Sequence, residues 1–379
     1  MTAVAPPLGL YIHLPWCERK CPYCDFNSHE SHAIPEQAYI DALLRDLDGE
    51  AARAGGRPLD TLFIGGGTPS LFSAGAIARL LAGIARRLPL AANVEATMEA
   101  NPGSAEAEKF AGFRAAGINR LSLGVQSFHD QQLRALGRIH SADQAHAAIA
   151  AVRTAGFERF NIDLMHGLSG QSAELAAADL RIALDYRPPH LSWYQLTIEP
   201  NTVFHKRPPA LPVEDALADI QERGERLLQG AGLGQYEVSA WSLPGGECRH
   251  NLNYWTFGDY LAIGAGAHGK ITQPDGRIQR YAKRRQPGDY MASAAGGFEA
   301  SRRWLTAEEL PGEYLLNALR LAGGTPLAAF TERTGLPLSA IQARLDALME
   351  RGLLEIVDGR LRCTSVGWRF LDSVVGEFF

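Results

Sequence analysis

Apolar and polar positions in the amino-terminal half of the chain follow two alternating patterns, short β-branched runs and longer segments with helical spacing. The runs predict buried parallel strands and occupy residues 8–14, 61–64, 94–98, 120–125, 160–164 and 191–196. Between them, residues 35–54 and 74–87 have the apolar spacing of helices, the second behind Ser73 as an N-cap. We therefore predict an α/β fold of successive βα units around a parallel sheet, either open or curved into a partial or full barrel. Both arrangements place active sites at the carboxyl ends of the strands.

The pattern changes after residue 210 and again near residue 298. Residues 213–229 predict a helix and 236–240 a strand, and the segment 250–269 is rich in glycine and aromatic residues. From residue 298 the predicted order is three helices and a hairpin, at 306–320, 327–334, 338–351 and 353–363. This order is typical of a winged helix. We therefore predict three regions, 1–210, 211–297 and 298–379, the last being a winged-helix-like α+β domain.

A winged helix often binds DNA, but the charges of this one argue for docking or packing instead. Acidic side chains balance the basic ones on its last helix and hairpin: Arg344, Arg351, Arg360, Arg362, Asp346, Glu350, Glu355 and Asp358. The whole chain carries a net charge of -5, which also disfavours an extended nucleic-acid surface. We expect no nucleic-acid partner.

The composition excludes several broad classes without indicating a function. Hydrophobic residues make up 46% and charged residues 21% of the 379 residues, as in ordinary globular proteins. No apolar run approaches the roughly 18 residues of a membrane span, and no basic segment precedes an apolar one at the amino terminus. We therefore expect a soluble, cytoplasmic protein.

The cysteines suggest the first specific chemistry. Three of the five, Cys17, Cys21 and Cys24, fall on one short segment directly after the first predicted strand, whereas Cys248 and Cys363 lie far apart. Three thiolates on one loop suit a [4Fe-4S] cluster in which one iron lacks a protein ligand. The alternative is a zinc site completed by His13 or His29, although zinc loops more often contain paired Cys-x2-Cys elements.

The segment from Tyr11 to Phe26, Tyr-Ile-His-Leu-Pro-Trp-Cys-x3-Cys-Pro-Tyr-Cys-Asp-Phe, resembles the radical SAM superfamily. It is most similar to the branch that contains oxygen-independent coproporphyrinogen oxidases and the HemW-type haem chaperones. Motifs at 65–70, 99–102, 123–128, 161–165 and 250–255 extend the resemblance over nearly the whole chain. The resemblance implies a partial (β/α)6 barrel of the TIM type, a cluster on the first loop, and S-adenosylmethionine bound to the open iron through its amino and carboxylate groups.

The polar residues at the predicted strand ends suit a ligand with an ammonium, a carboxylate and a ribose. Gly65–Gly67 ends the second strand, where the absence of side chains lets the backbone approach a ligand. By resemblance, the residues that contact S-adenosylmethionine are Tyr11, Gly66, Gly67, Thr68, Glu99, Gln126, Arg138 and Asp163. Taken singly, a run of three glycines is most often a turn, and a polar residue at a strand end is often a helix cap. Their recurrence at successive strand ends, behind a cysteine triplet, favours the cofactor.

Two classes within the branch compete, a decarboxylating oxidase and a haem-binding chaperone. The oxidases have a further cysteine two positions after the triplet, where this chain has Phe26. They also have a longer amino-terminal extension than this chain shows. Both differences favour the chaperone class, and we expect no coproporphyrinogen oxidase activity from this radical SAM scaffold.

The segment His250-Asn251-x-x-Tyr254-Trp255 resembles the haem motif of the HemW class. An imidazole can bind haem iron, and the two aromatic rings offer flat apolar surface to a porphyrin. His250 is therefore a candidate iron ligand, and Cys248 and Arg249 are further candidates for iron and propionate. The alternative is a buried turn with a hydrogen-bonded histidine.

The predicted function is that of a haem chaperone which binds the cluster, S-adenosylmethionine and haem, and delivers haem to membrane haem proteins such as respiratory enzymes. Such a protein would be cytoplasmic and peripheral at the membrane through its partners. The alternatives are radical oxidative decarboxylation of coproporphyrinogen III and a radical SAM enzyme of another substrate. Cleavage of S-adenosylmethionine and the oligomeric state, including a homodimer, stay open.

Overall fold

A computed structural model of the protein describes residues 5–103 and 107–379. Every one of the six predicted strands is present. The first eight strands are β1 (Leu8–Leu14), β2 (Trp16–Cys17), β3 (His29–Glu30), β4 (Leu59–Gly66), β5 (Leu90–Ala100), β6 (Arg120–Gln126), β7 (Arg159–His166) and β8 (His190–Gln195). Strands β1, β4, β5, β6, β7 and β8 are neighbours in that order and run parallel. Their carboxyl ends therefore meet at one edge.

Further strands extend this sheet at both sides. They are β9 (Gly234–Glu237), β10 (Ala240–Ser242), β11 (Asp259–Ile263), β12 (His268–Thr272), β13 (Ile278–Lys283) and β14 (Glu299–Trp304). β11 pairs in parallel with the free side of β1 and is followed by β12, β13 and β14, all antiparallel. β10 and β9 pair antiparallel beside β8. The resulting 12-stranded order is linear in the described chain, so the barrel is partial.

Helices cover the outer face of the sheet and follow its strands. They are α1 (Glu36–Ala54), α2 (Ala74–Ala85), α3 (Phe110–Ala116), α4 (Asp130–Ala135), α5 (Ala142–Thr154), α6 (Ala173–Asp185), α7 (Val203–Lys206) and α8 (Glu214–Gly230). The predicted cap is confirmed, since the Ser73 side chain accepts a hydrogen bond from Ala76 N. Leu8, Leu10, Ile12 and Leu14 of β1 belong to the core of this barrel. The alternate residues of β1 face the opposite side of the sheet, where Gly9 lies beside Thr61 and Tyr11 stacks on Phe63.

The carboxyl-terminal module has the predicted winged-helix order. Two short helices, α9 (Arg249–Trp255) and α10 (Pro287–Met291), precede it in the chain. The elements of the module are α11 (Leu310–Ala318), β15 (Thr325–Pro326), α12 (Leu327–Thr334), α13 (Gln342–Glu350), β16 (Leu354–Val357), β17 (Arg360–Cys363), α14 (Ser365–Arg369) and α15 (Leu371–Gly376). Asp358 and Gly359 both have positive φ, 51° and 73°, as a two-residue hairpin turn requires. Tyr314, Phe330 and Leu345 lie in a core of its own.

Two local predictions were wrong, and a third helix differs from its prediction at its start. Residues 299–304, assigned from sequence to the terminal module, form strand β14 of the main sheet, because backbone pairing with β13 continues past the boundary. The single strand at 236–240 is two strands, β9 and β10, which pair with each other. The helix at 338–351 begins with a 3-10 turn, Leu338–Ala340, before α13.

No helix in the described parts of the chain is both long and apolar enough to cross a bilayer.

Candidate functional site

A cavity of about 280 Å³ lies at the carboxyl ends of the parallel strands. It collects side chains that are distant in sequence. Among its lining residues are Cys17, Cys21, Cys24, Gly66, Gly67, Thr68, Glu99, Gln126, Arg138 and Asp163. Every cluster and S-adenosylmethionine residue predicted from the sequence lines it, except Tyr11.

The loop that carries the cysteines is held at both ends by backbone pairing. Strand β2 ends at Cys17 and pairs in parallel with β3, and Ser31 N donates to Cys17 O at 3.0 Å. At the far end, Cys24 N donates to Cys21 O at 3.1 Å in a tight turn. Lys20 Nζ donates to the carbonyls of Phe26 and Ser28, at 3.1 and 3.3 Å. The loop therefore keeps its shape through its own contacts.

Each cysteine sulfur has a polar hydrogen-bond partner from the protein. Thr68 Oγ1 donates to Cys17 Sγ at 3.5 Å, Arg138 Nη1 donates to Cys21 Sγ at 3.7 Å, and Ser28 Oγ lies 3.8 Å from Cys24 Sγ. Burial raises the pKa of the Cys17 and Cys24 thiols. A bound cation would favour the deprotonated form of these thiols, which is how metal binding is coupled to proton release.

The two histidines considered for a zinc site lie outside the cavity lining. His13 Nδ1 shares a hydrogen bond with Tyr11 Oη at 3.0 Å, and its Nε2 shares one with Asn27 O at 2.8 Å. Burial lowers the pKa of His13 to about 4. Among residues 5–103 and 107–379, no three His, Cys, Asp or Glu side chains are grouped to hold a single metal ion.

The glycines at the end of β4 let the chain pass close to the cysteine loop. Gly66 has a φ of 118°, and its N–H donates to Glu99 Oε2 at 3.1 Å. A Cβ on Gly67 would lie 2.4 Å from Trp16 O, well inside van der Waals contact. A side chain at Gly66 would meet the His13 ring of β1, and one at Gly67 would displace β2, so both positions require glycine.

Two partly buried carboxyl groups, on β5 and β7, face the cavity. Burial, with the charge of Asp163 second, raises the pKa of Glu99 to about 7. Burial likewise raises the pKa of Asp163, which accepts hydrogen bonds from Asn161 Nδ2 at 2.6 Å and Ser122 Oγ at 3.0 Å. A ligand that brings a positive charge or hydroxyl donors would stabilise both ionised groups.

Arg138 is one of three arginines that line the cavity, with Arg19 and Arg120. Its Nη2 donates to Asn101 Oδ1 at 2.6 Å and to Gly124 O at 2.9 Å. Its Nε is buried and has no acceptor among the described residues. A buried guanidinium donor without a partner suits a ligand carboxylate.

Sequence reasoning missed several lining residues, of which Asn101 and Tyr194 are the most informative. Tyr194 Oη donates to Gln126 Oε1 at 2.7 Å, and Gln126 is held in a left-handed conformation with a φ of 68°. Both missed residues lie at or just beyond strand ends, so the rule that identified Glu99 and Asp163 could have identified them too.

His250 lies outside this cavity and is completely buried at the start of α9. Its Nδ1 shares a hydrogen bond with Thr61 Oγ1 at 2.8 Å, and its Nε2 shares one with Tyr254 Oη at 2.8 Å. The ring stacks on Phe63, and burial lowers its pKa to about 3. This is the hydrogen-bonded histidine that the sequence left as the alternative, and in this conformation neither nitrogen is free to bind iron.

Cys248 and Arg249, the other candidates for contacts with haem, also contact other parts of the protein. Cys248 is buried, its Sγ donates to Glu95 Oε1 at 3.7 Å, and burial raises its pKa to about 11. Arg249 donates to the carbonyl of Asn93. Tyr11, Tyr254 and Trp255 instead line a second, larger groove on the other side of the cysteine loop.

Known proteins match the chain over nearly its whole length. The Radical SAM superfamily pattern matches residues 11–180, and the HemN C-terminal domain pattern matches residues 305–370. The haem chaperone HemW of Escherichia coli strain K12 is 51% identical over 374 residues, which are 98% of each chain. The chain belongs to the HemW family of the radical SAM superfamily.

Other members of the HemW family also match over nearly their whole length. The haem chaperone HemW of Haemophilus influenzae is 49% identical over 379 residues, 98% of each chain, and that of Mycobacterium tuberculosis H37Rv is 36% identical over 382 residues. Among solved structures, coproporphyrinogen III oxidase (HemN) of Escherichia coli, a radical SAM enzyme, has a TM-score of 0.83 at 22% identity. The match covers 99% of this chain and 90% of that one, and it shows the fold. The resemblance predicted from the motifs is confirmed, as are the partial barrel and terminal domain.

Proposed function

We propose that this protein binds a [4Fe-4S] cluster, S-adenosylmethionine and haem, and delivers the haem to membrane haem proteins from the cytoplasm. The observation that carries the proposal is the cavity at the strand ends, which brings three cysteines together with glycine backbone, two carboxyl groups and an arginine. Haem as the cargo comes from membership of the HemW family, whose relatives are named haem chaperones.

The residues around the cysteines fit an anionic iron–sulfur cluster. Cys17, Cys21 and Cys24 would each bind one iron, and such a cluster supplies an open iron to a small ligand. Thr68, Ser28 and Arg138 contact the three sulfurs and stabilise their thiolate forms by hydrogen bonding.

The remaining lining groups fit the polar parts of S-adenosylmethionine. The unpartnered Nε of Arg138 suits the carboxylate, while Glu99 and Asp163 suit the ammonium group and the ribose hydroxyls. Gly66 and Gly67 let the backbone lie beside the methionine portion without side chains between them. The positive and negative ends of the ligand thus have separate partners.

The test begins with anaerobic reconstitution and metal analysis of the full chain. We expect about four iron and four sulfide per chain, and loss of most of both in Cys21→Ser, because one of three cluster ligands is removed. Cys363→Ala, a buried cysteine in the terminal module, is the matched control and should keep the full content. A single bound zinc would contradict the cluster.

The second arm separates the chaperone from an oxidase. Haem-loaded, reconstituted protein should pass haem to the apo form of a membrane haem protein, which is followed by the absorption of the acceptor. The same preparation, given coproporphyrinogen III, S-adenosylmethionine and a reductant, should form no decarboxylated product. Product formation at enzymatic rates would replace the chaperone with the oxidase.

A further inference from the structure

The second groove has a volume of about 490 Å³ and lies between the cysteine loop, the turn before β12, helix α9 and the terminal module. The loop contributes Phe26, and α9 contributes Tyr254 and Trp255. Its size falls in the range of about 300–1,000 Å³ typical of ligand sites. No single segment of the chain forms it.

Aromatic rings supply much of its wall. The rings of Tyr254 and Tyr260 meet edge to face with centroids 4.5 Å apart, and Trp255 lies against Tyr254 at 6.3 Å. Phe26 borders both this groove and the cluster cavity, and 61% of its surface is exposed. Phe26 therefore adds accessible apolar surface to the wall of each cavity. The walls suit a flat, largely apolar molecule.

One imidazole in the groove is free. His13 also lines it, but both of its nitrogens are hydrogen-bonded. His268, at the start of β12, is exposed, and among the described residues no hydrogen bond involves its ring. A neutral imidazole without a partner is a ready ligand for haem iron.

Two donors in the groove also lack partners in the described chain. The indole Nε1–H of Trp255 is buried without an acceptor. Arg285 is exposed, and its guanidinium forms no ion pair with the described residues. The lining contains the carboxyl group of Asp25 and the guanidinium of Arg285, and it is Arg285 that can pair with an anionic group of a ligand.

We propose that this aromatic groove is the haem site, in which His268 binds the iron and Arg285 and Trp255 hold the propionates. The proposal rests on the proposed function. It names a site different from His250, whose nitrogens are both engaged. Phe26 then separates haem from the cluster, so haem lies against the loop that carries the three cysteines.

The test is a haem titration of anaerobically reconstituted protein, followed by its Soret absorption and by electron paramagnetic resonance. His268→Ala should change the iron-ligand signature and weaken haem binding about tenfold or more. His205→Ala, an exposed histidine on α7 outside the groove, is the matched control and should behave like the wild type. Both side chains are exposed, so neither change should disturb folding.

A second variant tests the propionates separately from the iron. Arg285→Gln should weaken binding of haem but leave binding of haem dimethyl ester unchanged, since the ester has no carboxylate to pair. Wild-type haem affinity and spectra in both His268→Ala and Arg285→Gln would overturn the groove while leaving the chaperone proposal intact. Loss of the iron signature in His250→Ala alone would also overturn it. Absence of haem binding by the wild type would overturn the proposed function itself.

Discussion

The protonation state of Glu99 depends on whether a positively charged group is bound in the cofactor cavity. It is largely buried near a second carboxyl group, Asp163, and the hydrogen bond from Gly66 N–H to one of its two oxygens only partly offsets these two effects. Without a cation nearby, its ionised form is unfavourable. The same burial makes it a strong partner for an ammonium group.

We predict that Glu99 makes the cofactor-free protein less stable as pH rises through neutrality. Its pKa is raised from 4.5 to about 7 by burial and by Asp163. The folded state therefore holds this proton over a pH range where the unfolded chain has lost it. Stability from the group is complete below about 4.5 and is lost as pH rises through 7, by about 3 kcal/mol in all.

Glu99→Gln removes this loss because an amide stays neutral. Urea unfolding at pH 5 and pH 8 should show the variant gaining up to about 3 kcal/mol over the wild type at the higher pH. Glu18→Gln, an exposed change on the cysteine loop, should show no such gain. Equal pH slopes for the wild type and Glu99→Gln would refute the assignment.

At the scale of elements, the site depends on the contact between the end of β4 and strand β2. Gly67 N donates to Leu14 O at 2.8 Å and Thr68 N to Trp16 O at 2.7 Å, so the two segments lie side by side. This contact fixes Cys17 relative to Thr68 and Glu99. A side chain between the segments would push the cysteine loop outward.

Gly67→Ala should therefore reduce iron content after reconstitution and destabilise the protein by about 1–3 kcal/mol, because the added Cβ meets Trp16 O. Metal analysis and thermal unfolding measure the two effects. The control, Gly75→Ala, lies in the first turn of α2 with nothing within 4 Å of the new Cβ. It should keep the cluster and gain up to about 1 kcal/mol from helix propensity. Full iron content in Gly67→Ala would show that the loop does not need this contact.

At the scale of the whole molecule, the terminal module joins the barrel beside the aromatic groove. Arg320 Nη2 lies 3.1 Å from Glu237 Oε2 of β9, and the Arg320 guanidinium carbon lies 4.4 Å from the centroid of the Trp255 ring. Val238 N also donates to Arg320 O at 3.2 Å. The module thus supports one wall of the proposed haem site.

Arg320→Ala should destabilise the full chain by about 3 kcal/mol, because it leaves the buried carboxylate of Glu237 without its ion pair. Calorimetry should show the unfolding of the terminal module separating from that of the barrel. Arg344→Ala, an exposed arginine on α13, is the matched control and should unfold like the wild type. A single unchanged transition in Arg320→Ala would exclude this coupling.

The sequence by itself determined the barrel strands and many, though not all, of the residues that line the cluster cavity. Parallel βα units bring their carboxyl ends to one edge, so Glu99, Gln126 and Asp163 had to lie near the loop of Cys17 once their strands were recognised. Local patterns are enough to predict these strands, because the alternation within a strand and the position of its end depend on residues that are close in sequence.

The tertiary structure alone decided where β14 pairs, that His250 is buried, and that Tyr11 belongs to the second groove. Each depends on contacts between segments far apart in the chain, such as Thr61 with His250. The aromatic groove is the clearest case, since Phe26, Tyr254 and His268 share no motif. They meet because β11 pairs with the free side of β1, and no periodicity within either strand encodes that pairing.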